Sequence, residues 1–274
     1  MELIASSRIV KAQQRVEASR PYAVQLTTAM EDLARQAGGP LDHPLLQERE
    51  HPARVGLLVI TSDRGLAGAY NANVLKIVED LLRRVRERGL EPVVYVIGKK
   101  GVGYLRFRGI PLRAEWQGIS EVPAYEAADE IGRRLIDEFA AEQIDELLCA
   151  YTDFRSAFTL RATYRRFLPI APEEVVGDRR EGVHPEYLFE PSPAQILDHL
   201  LPQYLITKVW AALLESAASE NASRRRAMKA ATDNAEEIIK VLTRQANRAR
   251  QDEITTEISE IVGGAEALSA ASGE

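Results

Sequence analysis

From Gln203 to Val262 the chain runs for 60 residues without a glycine or a proline. The run is dense in Ala, Glu, Arg, Leu and Ile, and as one helix it would extend about 90 Å at ~1.5 Å per residue. Globular helices usually stop after three or four turns, so an ordinary core does not cover a segment this long. The N-terminal segment offers a partner. Ile9, Ala12, Val16, Ser19, Ala23, Leu26, Met30 and Leu33 alternate three- and four-residue steps, the seam of a left-handed coiled coil. Met228, Ala231, Ala235, Ile238 and Leu242 keep the same spacing. Many of these positions are Ala or Ser, which lets helices approach closely. An antiparallel coiled coil between residues 1–37 and 193–270 is expected, with Pro21 kinking the first helix or costing it a hydrogen bond.

The middle of the chain has a different texture. Arg54–Thr61 is a short apolar run that reads as a buried strand. A glycine-containing turn follows at Ser62–Gly68, then an amphipathic helix from about Asn73 to Arg88. Val93–Ile97, Ile144–Tyr151 and Phe158–Pro169 supply further strands, and Lys99–Phe107 and Ala124–Glu142 further helices. Strands alternating with helices predict an α/β fold over residues 54–170, a Rossmann-like layer with a mostly parallel sheet.

A strand, a turn with two glycines and a helix invite a nucleotide-binding reading, because helix N-termini bind phosphate. The dinucleotide fingerprint needs three glycines at fixed offsets, and only Gly65 and Gly68 are present; GxxxxGK[ST] occurs nowhere. The better reading is structural: the glycines permit a tight turn and Asp63 caps it. His43, His51, His184 and His199 lack metal-ligand spacing. Cys149 falls inside a predicted buried strand, where packing is its role. With one cysteine there is no disulfide framework. No paired acid and base stands out, and no cofactor or metal is expected.

Charge narrows the choice further. With 35 basic and 41 acidic residues the net charge is −6, which argues against binding nucleic acid through bulk charge. The balance is uneven along the chain. Residues 221–250 carry eight Lys and Arg against three Asp and Glu, whereas residues 251–274 carry six acids and no Lys or Arg. Such blocks suit contacts with different partner surfaces. The triplet Arg224-Arg225-Arg226 lacks the interleaved aromatics of a nucleic-acid patch. No stretch approaches the ~20 apolar residues of a membrane span.

Thr61–Val74 (TSDRGLAGAYNANV) and Asn247–Leu268 (NRARQDEITTEISEIVGGAEAL) closely resemble the two signatures of the F-type ATP synthase gamma subunit family. Met1–Tyr22 and Ala217–Ile239 resemble its adjoining helices, so the similarity spans essentially the whole chain. The resemblance implies a central rotor shaft inside a ring of alpha and beta subunits. The α/β domain would be a foot on the membrane c-ring that binds the epsilon subunit. Catalysis would belong to the beta subunits, making this chain non-catalytic, without nucleic acid among its partners. It would lie peripherally at the cytoplasmic face of the cell membrane, held only through the c-ring.

By the same resemblance Arg250, Gln251, Thr255 and Glu257 match the site that grips a beta-subunit loop. Arg64 and Ala67 match the part facing the acidic C-terminal loop of beta, and Tyr187, Phe189 and Glu190 match the rotor-ring contact. No cysteine pair matches the thiol switch of the chloroplast branch. Met1 matches a methionine roughly two dozen residues inside the family's first helix, so a longer natural protein or a shortened shaft is expected. Two other readings compete: an α/β ligand-binding domain with a coiled-coil dimerisation arm, and a coiled-coil nucleic-acid binder.

Overall fold

The structure is a computed structural model that describes residues 2–36, 43–156, 159–171 and 192–271. The chain divides into two compact units, Met1–Ala227 and Met228–Glu274. The elements run α1 (Glu2–Gln36), β1 (Arg54–Ile60), α2 (Tyr70–Glu87), β2 (Glu91–Ile97) and α3 (Lys99–Phe107). They continue with β3 (Leu112–Trp116), α4 (Tyr125–Ala140), β4 (Glu146–Phe154), β5 (Leu160–Leu168) and α5 (Pro193–Ala271).

The five strands form one sheet in the order β3-β2-β1-β4-β5. All pairs are parallel except β4 with β5. The chain steps outward from β1 through α2 and α3, then returns through α4 to β4 on the other side of β1. That reversal makes the sheet doubly wound, and the expected α/β class holds.

Successive strand residues point to opposite faces, which sorts the side chains into two cores. Leu58, Ile60, Tyr95, Ile97, Leu147 and Cys149 meet Ile131, Leu135 and Phe139 of α4. Val55, Leu57, Val59, Val94 and Val96 meet Val74, Val78 and Leu81 of α2 and Leu105 of α3. Cys149 is fully buried, and burial pushes its thiol well above the usual range, which fits packing rather than nucleophilic chemistry.

The helical ends complete the first core. Leu26, Met30 and Leu33 of α1 join Leu197, Leu201, Leu205 and Leu213 of α5 there. Near the start of α1, Arg8 meets Glu121, which also faces Arg224 of α5. Late α1 therefore lies with early α5 and early α1 with later α5: the two run antiparallel. The predicted seam is the buried stripe of α1. Ile9, Ala12, Leu26, Met30 and Leu33 are buried and Val16, Ser19 and Ala23 half-buried, while the intervening Val10, Tyr22 and Val24 are exposed. Pro21 sits on the exposed side without ending the helix.

In the second unit the expected seam positions lie on a continuous helix. Ala231, Ala235, Ile238 and Leu242 are all exposed. The structure also adds β3, which sequence patterning leaves as loop. Its five residues are at most half-buried and two are charged, so it lacks the apolar run of a central strand. Parallel pairing with β2, from Val94↔Leu112 to Ile97↔Trp116, holds it at the edge. β4 continues to Phe154, three residues past its expected end. The expected start of β5 at Phe158 lies outside the described residues.

Candidate functional site

The signature at Thr61–Val74 begins where β1 leaves the sheet. A helix start leaves its first N–H groups without intrahelical partners, and here the exit of β1 satisfies those of α3. The Gly101 N–H donates to Thr61 Oγ1 at 2.9 Å, the Lys100 N–H to the Ser62 carbonyl at 3.0 Å, and the Lys99 N–H to Asp63 Oδ1 at 3.1 Å. Asp63 thus caps α3 rather than its own turn. Its Oδ2 also accepts the Ser120 N–H at 3.1 Å, and its own N–H donates to Ser120 Oγ at 2.9 Å. Burial alone would raise the Asp63 carboxyl; the N–H donors of Gly118, Ser120 and Lys99 outweigh it and hold the group below the usual range. The approach demands glycine at position 98, where φ is +97° and a Cβ would stand 2.3 Å from the Thr61 carbonyl oxygen.

The rest of the turn is held from inside. Ser62 Oγ donates to the Arg64 carbonyl at 2.6 Å, and Asn71 Oδ1 accepts the Ser62 N–H at 3.0 Å. Gly68 takes a φ of +55°, as a turn glycine should, but the other left-handed position is Leu66 at +60°, not Gly65. A bulky residue there is uncommon. Leu66 is 66% exposed, whereas Ala67 is 2% exposed and packs beneath. Of the two turn residues expected to face a partner, Arg64 is exposed and Ala67 is covered. Leu66 was not singled out from the sequence; a lone large apolar residue in a polar, glycine-flanked turn was its only signal.

A charge cluster lies against this turn. Glu121, in the loop before α4, receives Arg8 Nη1 at 2.6 Å and Arg64 Nη1 at 3.5 Å, with Arg224 Nη1 at 3.9 Å. Arg224 is buried, unlike the exposed Arg225 and Arg226 that follow it. Its Nη2 meets Oε1 of the fully buried Glu220 at 2.6 Å. It also donates to the carbonyls of Arg64 and Gly65 at 3.4 Å. Burial raises the Glu220 carboxyl, and the Arg224 guanidinium pulls it the other way. Nearby, a cleft of about 360 Å³ opens between the start of α2, the end of β4, the start of β5 and α5, lined by Gly68, Tyr70, Asn73, Thr152, Leu160 and Arg226.

The second signature lies in the second unit, where Arg250, Gln251, Thr255 and Glu257 are all exposed. At ~100° per residue, these four share an arc of about 160° with Ile254, Ile258, Ile261 and Val262. Those four apolar residues are exposed too. Asp252, Glu253, Thr256, Ser259 and Glu260 occupy the opposite side. The helix therefore presents one mixed apolar and polar face. Tyr187, Phe189 and Glu190 lie outside the described residues. Among the described residues no group of three or more His, Cys, Asp or Glu is placed to hold a metal ion, and no helix is long and apolar enough to cross a membrane.

These features define an α/β protein whose doubly wound sheet is built onto an antiparallel helix pair, with one sequence signature holding a turn that exposes Arg64 and Leu66 and the other on an exposed stretch of helix. The sequence pattern of the ATP synthase family matches residues 1–268. The chain is 52% identical to the ATP synthase gamma chain of Mycolicibacterium smegmatis, over 97% of this chain and 91% of that one. It is 53% identical to that of Acidothermus cellulolyticus, over 100% of this chain and 92% of that one. The fold resembles the central stalk/c-ring structure of the Tetrahymena thermophila mitochondrial ATP synthase, with a TM-score of 0.61 at 24% identity over 85% of this chain and 97% of that one. A chain of the Euglena gracilis mitochondrial ATP synthase, solved with OSCP, F1 and c-ring, gives 0.57 at 13% identity over 100% of this chain and 96% of that one. The chain belongs to the ATP synthase gamma chain family.

Proposed function

We propose that this chain is the central rotor shaft of an F-type ATP synthase, carrying torque between a proton-driven c-ring and a catalytic alpha/beta hexamer. The observation that supports this best is the uncovered face of the second unit. Isoleucines in water are costly unless another surface covers them, and here they share an arc with Arg250, Gln251, Thr255 and Glu257. These four residues grip a beta-subunit loop. At the turn, Arg64 and Leu66 face the acidic loop of beta while Ala67 supports them from below. Tyr187, Phe189 and Glu190 meet the c-ring, and the α/β unit carries epsilon.

Coupling of this kind needs contacts that differ between the beta conformations, because only a differential interaction shifts an equilibrium. The chain itself is non-catalytic: nucleotide chemistry belongs to the beta subunits, and this subunit uses no cofactor. It reaches the cytoplasmic face of the membrane only through the c-ring. Reconstitution with alpha, beta and epsilon subunits tests the reading. ATP-driven proton pumping that depends on this chain is the expected result, and failure to co-purify with alpha and beta overturns it. The cleft between the start of α2 and the end of β4 lies on the side of the sheet where doubly wound folds usually bind ligands, so tight ATP binding by the chain alone would favour a ligand-binding α/β domain instead.

A further inference from the structure

We propose that Arg224 is the positioning residue that locks the Ser62–Gly68 turn to α5, so that the two move as one body under load. Its guanidinium reaches three separate parts of the chain. Nη2 holds Glu220 Oε1 at 2.6 Å on α5 itself, and Nε and Nη2 hold the Gly65 and Arg64 carbonyls at 3.4 Å. Nη1 faces Glu121 at 3.9 Å, and Glu121 is tied in turn to Arg8 of α1 at 2.6 Å and to Arg64 at 3.5 Å. One planar fork thus joins α5, the turn, the loop before α4 and, through one carboxylate, α1.

The turn requires such a lock. Leu66 holds a left-handed φ of +60° while its side chain is mostly exposed. Backbone in that region persists only where its surroundings over-determine it. Little packing covers Leu66, so its backbone is fixed from the carbonyl side, by Ser62 Oγ at the Arg64 carbonyl from within the turn and by Arg224 at the Arg64 and Gly65 carbonyls from α5. Only arginine suits the place: its fork presents several donors in fixed directions at once, whereas a lysine ammonium is a point charge on a flexible stem. The triplet at 224–226 accordingly divides its labour, with one guanidinium turned inward and two at the surface.

The lock is read from geometry; its coupling role rests on the rotor-shaft function proposed above, and two measurements separate them. Arg224→Lys keeps the charge but removes the fork. The double variant Arg224→Gln with Glu220→Gln removes the fork without stranding a buried charge. In the full chain, hydrogen–deuterium exchange of the amides from Arg64 to Gly68 should quicken about tenfold or more in both variants, the factor expected from losing one charge-assisted hydrogen bond. Amides of β1 should keep their rates. In the reconstituted complex, protons pumped per ATP hydrolysed should fall while hydrolysis continues, at temperatures well below the melt of either variant. Unchanged exchange in the turn overturns the lock, as does full rescue by lysine. Faster exchange with an unchanged pumping ratio overturns the coupling role. If the double variant does not fold, Arg224→Lys alone decides by the same two readouts. A chain that never assembles with alpha and beta refutes the shaft reading, and the exchange measurement still judges the lock.

Discussion

Along α5, Leu201, Leu205 and Leu213 are buried with residues of α1 and α4, whereas Ile238, Leu242 and Ile258 are more than half exposed. The residues are alike in size and hydropathy, and the backbone is helical throughout. What separates the regions is company. Up to Ala227 the helix borrows stability from a sheet, α4 and α1. Beyond it, Ile238, Leu242 and Ile258 stay exposed, and the rotor-shaft function proposed above assigns their cover to another subunit. Burial in the first region serves folding; on the function proposed above, exposure in the second serves assembly.

The sharpest way to break that contrast is to place the same charge in both regions. Leu26→Asp puts a carboxylate into the shared core, at a cost of about 5 kcal/mol. At about 2–4 °C per kcal/mol for a domain of this size, the melt of the isolated chain should fall by 10 °C or more. Ile238→Asp, at a residue 58% exposed, should leave the same melt almost unmoved. Equal effects would mean that the second region has a partner within the chain.

Arg250→Ala with Gln251→Ala should do the reverse, sparing the melt but weakening ATP-driven proton pumping in the assembled enzyme. Each lost charge-assisted contact is worth about 1.5–3 kcal/mol. Unchanged pumping would remove these residues from the gripping site. Glycines give a comparison of opposite signs. Gly98→Ala drives a methyl into the Thr61 carbonyl at a φ of +97°. It should cost about 3 kcal/mol, seen as an earlier melt. Gly263→Ala meets nothing within 4 Å. On an exposed helix it should add about 0.5–1 kcal/mol of helix stability, read as slightly higher helicity by circular dichroism.

The smallest effect concerns pH. Burial first, and then the charge of Asp153, raise the Glu215 carboxyl from an ordinary 4.5 to about 7. The native state therefore holds this proton after the unfolded chain has released it. Stability from this group is full below pH 4.5 and is lost as pH climbs through about 7. Glu215→Gln should flatten that slope, raising the melt at pH 8 more than at pH 5.

Periodicity made the α1 seam legible, because a 3.5-residue repeat leaves one stripe facing a partner whichever partner it is. The same rule marked Met228 to Leu242 as a seam, where Ala231, Ala235, Ile238 and Leu242 are exposed, because spacing marks a stripe and not what covers it. Central strands β1 and β2 were legible as apolar runs, since both their faces are buried. β3 was not: an edge strand of five residues satisfies its backbone through one neighbour and needs no apolar run. The turn was legible by half. Glycine punctuation marked it, but Asp63 finds its donors at Lys99 and Ser120, and no local pattern announces a partner 36 or 57 residues away. Glu121 carried no signal at all. Its place is set by three arginines from three elements that meet only when the fold is complete. Ile258 and its neighbours were visible as apolar residues, and their helical arc with Arg250 and Gln251 follows from spacing alone.

The membership of one core by both ends of the chain also sets a timetable. Leu26, Met30 and Leu33 leave the ribosome early, but Leu197 to Leu213, which share their core, are made about 180 residues later. At ~5–20 residues per second, the interval is on the order of ten to thirty seconds. Throughout it, the strands and helices between can already pair with one another, while α1 presents an apolar stripe with nothing to lie against. Newborn chains of this protein therefore pass through a period in which their first helix must be sheltered, and holding chaperones should be found on that stripe rather than on the sheet.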